Sequence, residues 1–181
     1  ARKILNDNGL YDVRIEETKG VLTDHYDPRS KVVRLSSHNY HGNSVAGAAV
    51  AAHEVGHAIQ DAENYSFLRV RHALVPVASL GSNFSYFLII GGFLLGSMNF
   101  VFLGILFMAA AVLFQVVTLP VEFNASNRAM DQMVSTGLIA NNEERHTKKV
   151  LNAAALTYVA AAAVAVLELT RFILMYLNNR N

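Results

Sequence analysis

No Asp, Glu, Lys or Arg occurs from Ala73 through Val121. About 20 apolar residues of helix cross the hydrocarbon core of a bilayer, so a charge-free run of about 50 has room for two crossings. The expected break is Gly96-Ser97-Met98-Asn99, a short polar turn between residues 84–95 and 100–119. The first crossing reaches back toward Leu74, with Pro76 near its start and Gly81-Ser82-Asn83 as a weak polar interruption. A buried hairpin in a soluble protein is the competing arrangement. It is disfavoured because so short a chain has too little other surface to enclose two wholly apolar helices. A transmembrane hairpin over residues 73–121 is therefore expected.

The chain is 52% hydrophobic and only 16% charged, and the apolar excess is concentrated in segments. A third such segment, residues 153–167, is alanine-rich, which suits close helix packing in a bilayer. Beyond it stand Glu168 and Arg171, three apart on one helical face and able to pair, then residues 172–177. The pair belongs either to a polar element inside the bundle or to the membrane interface. With a formal net charge of +1 and no basic stripe interleaved with aromatics, nothing suggests a nucleic-acid partner, and none is expected. There is no cysteine, hence neither a disulfide nor a thiolate ligand. The chain opens at Ala1, with Ile4 and Leu5 already in a helical pattern, which predicts that a segment upstream of it has been removed.

The polar parts lie before and between these segments. Residues 1–9 read as the end of a helix closed by Asn8-Gly9. Residues 12–16 and 31–35 alternate apolar and polar side chains, with Asp27-Pro28-Arg29-Ser30 as a turn, so a small sheet of two or three strands is expected. Residues 45–59 then form a helix, rich in alanine, free of proline and capped by Ser44. After the hairpin, Pro120 suits the first turn of a new helix running to about Thr136 and stopping at Gly137. Asn142 caps a further helix over residues 143–150 that can continue into the third apolar segment.

The helix behind Ser44 carries His53-Glu54-Val55-Gly56-His57. Residues four apart share a helix face, so both imidazoles reach one ion while Glu54 stands beside it, placed to take a proton from a metal-bound water. By composition such a match arises in roughly one random chain in a hundred, and its placement on a well-capped helix argues against coincidence. A structural zinc site would carry four protein ligands, often cysteines, and is set aside. Catalytic zinc keeps three protein ligands and an open position, so one more is needed.

Asp61 shares the face of the two histidines, but at 1.5 Å per residue it lies about 12 Å along the axis from His53. It reads either as a carboxylate orienting His57 or as a surface group at the helix end. Glu122 is preferred. It is the first charge after the apolar run, and a hairpin returns the chain to the side it left. Asp131 is the fallback. His25, His38, His72 and His146 read as surface or loop histidines, and His41 as a candidate transition-state donor.

The stretches Leu22-Thr23-Asp24-His25-Tyr26-Asp27-Pro28, Val32-Val33-Arg34-Leu35-Ser36, Tyr40-His41-Gly42, Ala51-Ala52-His53-Glu54-Val55-Gly56-His57-Ala58-Ile59-Gln60 and Leu119-Pro120-Val121-Glu122-Phe123-Asn124-Ala125-Ser126 resemble the YugP-type family. These are bacterial membrane-bound neutral zinc metallopeptidases, and the likeness covers nearly the whole chain. It implies one Zn2+ on His53, His57 and Glu122, with Glu54 as catalytic base, and an additional hydrophobic helix at the start of family members. The arrangement is also similar to the wider HtpX and CAAX-protease group, in which a Glu-x-x-x-Asp pattern follows a membrane hairpin. Ser126 stands here in place of that aspartate.

The expected fold is thus mainly α and membrane-integral, with a small α+β zincin-like catalytic part. Its divisions are residues 1–72 (sheet and HExxH helix), 73–121 (hairpin), 122–150 (third-ligand and connecting helices) and 151–177 (third membrane or membrane-packed helix). The expected activity is zinc-dependent peptide hydrolysis on a peptide or membrane-protein substrate, in the bacterial plasma membrane with the site facing the cytoplasm. Residues 31–36 would offer a free strand edge to an extended substrate. Two other readings compete. An intramembrane protease is opposed by Asp61 and Glu63, which end the helix early, and by the lack of an Asp-Gly pair. A catalytically silent scaffold would have no use for Glu54.

Overall fold

The computed structural model describes residues 1–140 and 142–180. Among them run α1 (Arg2–Asp7), β1 (Arg14–Thr18), β2 (His25–Asp27), β3 (Val32–Ser36), α2 (Ser37–His41), α3 (Val45–Ala62), α4 (Ser66–Leu94), α5 (Met98–Ser135) and α6 (Glu144–Arg180). Over the described residues the protein is mainly α-helical, with three helices long and apolar enough to cross a membrane and one small sheet. Two compact units arise. The first joins Ala1–Leu68 to Val121–Leu156, and the second joins Arg69–Pro120 to the chain from Thr157 on.

In the first unit the strand order is β1-β3-β2. β3 runs parallel to β1 from Val32 opposite Arg14, and antiparallel to β2 with Tyr26 opposite Val33. Asp27 shapes the β2–β3 turn, accepting the Arg29 N–H at 3.0 Å and the Ser30 hydroxyl at 2.6 Å. The expected free edge on residues 31–36 is therefore absent: β3 is the central strand, paired on both sides, and four of its five side chains are buried. Its run of apolar residues suits a central strand, and the outer edges belong to β1 and β2.

Helix α3 lies against this sheet. Ser44 caps it, its hydroxyl accepting the Gly47 N–H at 3.0 Å. Val55, Ala52 and Ala58 enter a core with Val33 and Leu35 of the sheet and Ala129 and Met133 of α5. Gln132 ties α1 to α5 by accepting the Asn8 amide at 2.7 Å. Gly137, in the left-handed region at φ 65°, ends α5 near the expected stop. The entry to α6 is organised by Glu143 rather than by a cap from Asn142. The Glu143 carbonyl accepts the Thr147 N–H, and its carboxylate accepts the Ala140 N–H.

In the second unit, α4 and α5 form the hairpin. The turn uses Gly96 at φ 64°, and the Ser97 N–H returns to the Gly92 carbonyl at 2.8 Å, closing the end of α4. Ile89, Val101, Ile105, Met108 and Phe172 pack a small core. Between 17 and 28% of the most apolar stretches of the three long helices is buried, so most of their apolar surface faces outward, as lipid rather than protein core requires. Phe87, Leu94 and Leu167 are among the most exposed. Glu168 and Arg171 pair at 2.9 Å.

Pro120 departs from expectation. It does not open a new helix, because α5 continues through it from Met98 to Ser135. Losing one N–H costs a single ladder bond, whereas breaking the helix beside a membrane segment would orphan several backbone groups.

Candidate metal centre

Two helices build the centre. α3 presents His53 and His57 one turn apart, their ring centroids 4.8 Å from each other and nearly perpendicular. α5 brings Glu122, which is 1% exposed. Glu122 Oε2 lies 3.2 Å from His53 Nε2 and 3.6 Å from His57 Nε2. One ligand atom from each of the three residues falls within 4.8 Å of the others. A tetrahedral zinc ion with bonds of about 2.0–2.2 Å sets its ligand atoms about 3.3–3.6 Å apart, and the two distances from Glu122 lie close to that spacing, so this set could hold such an ion. Glu54, the next residue after His53, is itself buried.

The helices can come this close because of Gly56, inside the HExxH motif. A Cβ there would lie 2.6 Å from the Ala125 carbonyl oxygen, so any larger residue would push α5 away. Glu122 lies one turn before Ser126 on that same helix. A glycine inside the motif on α3 therefore also sets how near the Glu122 carboxylate comes.

Each imidazole is held from behind. The Ser126 hydroxyl oxygen is 3.2 Å from His53 Nδ1, and Gln60 Oε1 is 3.0 Å from His57 Nδ1. With Nδ1–H donated in both cases, each Nε2 lone pair points at the cluster. Burial works against a charge on His57, while its hydrogen bond to Glu122 and the negative charges of Glu54 and Glu122 favour one. The balance lifts its pKa above the ordinary histidine value. The surroundings thus favour positive charge at this point, as a divalent cation site requires.

The other candidates lie elsewhere. Asp61 does not orient His57; it accepts the Tyr26 hydroxyl at 3.1 Å, joining the end of α3 to β2. Gln60, one residue earlier, holds the ring instead, and sequence reading missed it. Its position three after His57, on a shared helix face, was the available signal. Asp131 is exposed on α5 and outside the cluster. His41 is also outside it, on α2 with Nε2 3.3 Å from Glu17 Oε2. His25 Nδ1 is 2.7 Å from the Thr23 carbonyl oxygen, and His38 and His146 are exposed.

Residues 1–177 match the family described as "Putative neutral zinc metallopeptidase". Over all 181 residues the chain is 55% identical to a Bacillus subtilis (strain 168) protein named "Putative membrane protease YugP", of which it spans 80%. No solved structure matches it. Since the match runs through the sheet, the helices carrying His53, His57 and Glu122, and the apolar spans alike, the chain belongs to the family of neutral zinc metallopeptidases and is a membrane protein.

Proposed function

We propose that the chain is a membrane-bound endopeptidase that hydrolyses peptide bonds with one zinc ion per chain. The observation that carries this reading is the convergence of His53 Nε2, His57 Nε2 and Glu122 Oε2 beside a buried glutamate. When bound there, zinc supplies Lewis acidity toward water and the scissile carbonyl. His53, His57 and Glu122 hold the ion, and Ser126 and Gln60 keep the two rings aimed. Glu54 accepts the proton of the attacking water and delivers it to the leaving amine. Its closeness to the site is supported by the pull of its charge on His57. Substrates are peptides or membrane proteins, and the lipid bilayer is the protein's setting.

The site is read as facing the cytoplasm of a bacterial cell, in a multi-pass protein of the plasma membrane. His53 and His57 precede the hairpin and Glu122 follows it. Arg69, Arg71, Arg128, Lys148 and Lys149 flank the same ends of the spans, whereas the turn at residues 96–99 is uncharged.

The test is casein or peptide cleavage by the purified protein in detergent, with zinc measured on the same sample. Glu54→Gln should keep zinc and lose roughly 10²–10⁴-fold in rate, since an amide accepts no proton. Cleavage by Glu54→Gln at the parent rate would remove Glu54 as the base. Cleavage indifferent to a zinc chelator would remove the metal from the mechanism.

A further inference from the structure

We infer that Gln60 is a positioning residue that aims His57 at the metal and fastens the end of α3 to the segment of α5 carrying Glu122. The inference rests on the zinc-site reading above and extends it to a residue outside the ligand set. Gln60 is 0% exposed, an unusual place for an amide unless every polar atom is matched. Here all are. Oε1 accepts the Nδ1–H of His57 at 3.0 Å. Nε2 donates to the Val121 carbonyl at 2.8 Å and to Asn124 Oδ1 at 2.9 Å. Two acceptors around Nε2 dictate which way the amide lies, so Oε1 must face the ring.

Both acceptors sit on α5 beside Glu122, one immediately before it and the other two residues after. One side chain therefore sets the tautomer of the second histidine and the approach of the third ligand together. Behind it, Asn124 Oδ1 also accepts Arg128 Nε at 2.7 Å, and Arg128 Nη2 pairs with Glu63 Oε2 at 2.7 Å. The chain of bonds thus returns to the end of α3 and braces the amide from the α5 side. Neither a hydrophobic residue nor a carboxylate makes the full set at position 60. Glutamate keeps only the acceptor, and methionine keeps neither function.

The experiment measures zinc affinity by chelator competition in the full chain, in detergent, for the parent, Gln60→Glu, Gln60→Met and Asn124→Ala. Folding of each variant is checked by circular dichroism and gel filtration. Gln60→Met should lose about 10–100-fold in zinc affinity, the range associated with groups that orient metal-binding histidines. Gln60→Glu, which retains the acceptor for Nδ1–H, should lose clearly less than Gln60→Met. Asn124→Ala should lose several-fold, and saturating zinc should restore the peptidase rate of Gln60→Met toward that of the parent. A defect that only loosened the fold would neither rank the two Gln60 variants this way nor be repaired by zinc. Folded Gln60→Met with parental affinity overturns the inference. If Gln60→Met does not fold, Asn124→Ala decides, and parental affinity there overturns it equally. A parent protein that binds no zinc would instead bring down the metallopeptidase reading, and this inference with it.

Discussion

Three side chains, His53, His57 and Glu122, form the candidate metal cluster, and they and their immediate supports have separable contacts. Glu122 contributes a nearly buried oxygen to two imidazoles, whereas Asp61, on the histidine face of α3, spends its carboxylate on Tyr26. Glu122→Gln should therefore lose more zinc affinity than the roughly 10–100-fold expected of a supporting residue. Asp61→Asn should keep its zinc and cost about 0.5–1.5 kcal/mol, the worth of one partly exposed hydrogen bond. Atomic absorption on the two purified variants separates them, and full zinc in Glu122→Gln with none in Asp61→Asn would reverse the assignment. Ser126 adds a residue-scale point. A serine hydroxyl is shorter and uncharged compared with aspartate, yet it reaches His53 Nδ1 at 3.2 Å, so the ring remains oriented without another buried charge.

Among the elements, the decisive contact is between α3 and α5, and Gly56 sets its distance. Glycine to alanine within an exposed helix normally stabilises by about 1 kcal/mol. At position 56 the sign should invert. The added methyl meets the Ala125 carbonyl at 2.6 Å, backbone that cannot swing aside, so Gly56→Ala should destabilise by about 1–3 kcal/mol. Zinc affinity should fall with it, because α5 retreats carrying Glu122. Thermal unfolding in detergent and chelator competition test both halves, and an alanine variant with raised stability and intact affinity would refute the close-approach argument. α5 itself bears both an apolar span and Glu122 in one uninterrupted helix, a combination that Pro120 does not break.

For the whole molecule, the order along the chain is the main constraint. His53 and His57 lie before the hairpin and Glu122 after it, and basic residues flank those same ends. The chain has no cysteine of its own, so single-cysteine variants report without background. Cysteine at Ser97 should react with an impermeant thiol reagent on intact cells, and cysteine at Ser135 only after permeabilisation. The reverse pattern would place the site outside the cytoplasm.

Much of this was legible in sequence wherever a property is local. The charge-free run marked the hairpin, Ser44 marked the start of α3, Gly96 and Gly137 marked helix ends, and spacing put His53 and His57 on one face. These depend on periodicity, capping and backbone conformation, which a few neighbouring residues determine. The central position of β3, the passage of α5 through Pro120 and the partners of Asp61 and Gln60 were not readable in this way. Strand order depends on which segment finds two partners, and whether proline ends a helix depends on what surrounds it. Which of two adjacent polar side chains meets a given imidazole depends on the helix packed opposite. Sequence by itself determined the membrane hairpin and the pair of histidines; only the tertiary structure decided how Glu122 meets His53 and how Gln60 meets Val121, because those contacts cross more than 60 residues of chain and exist only where α3 and α5 close against each other at Gly56.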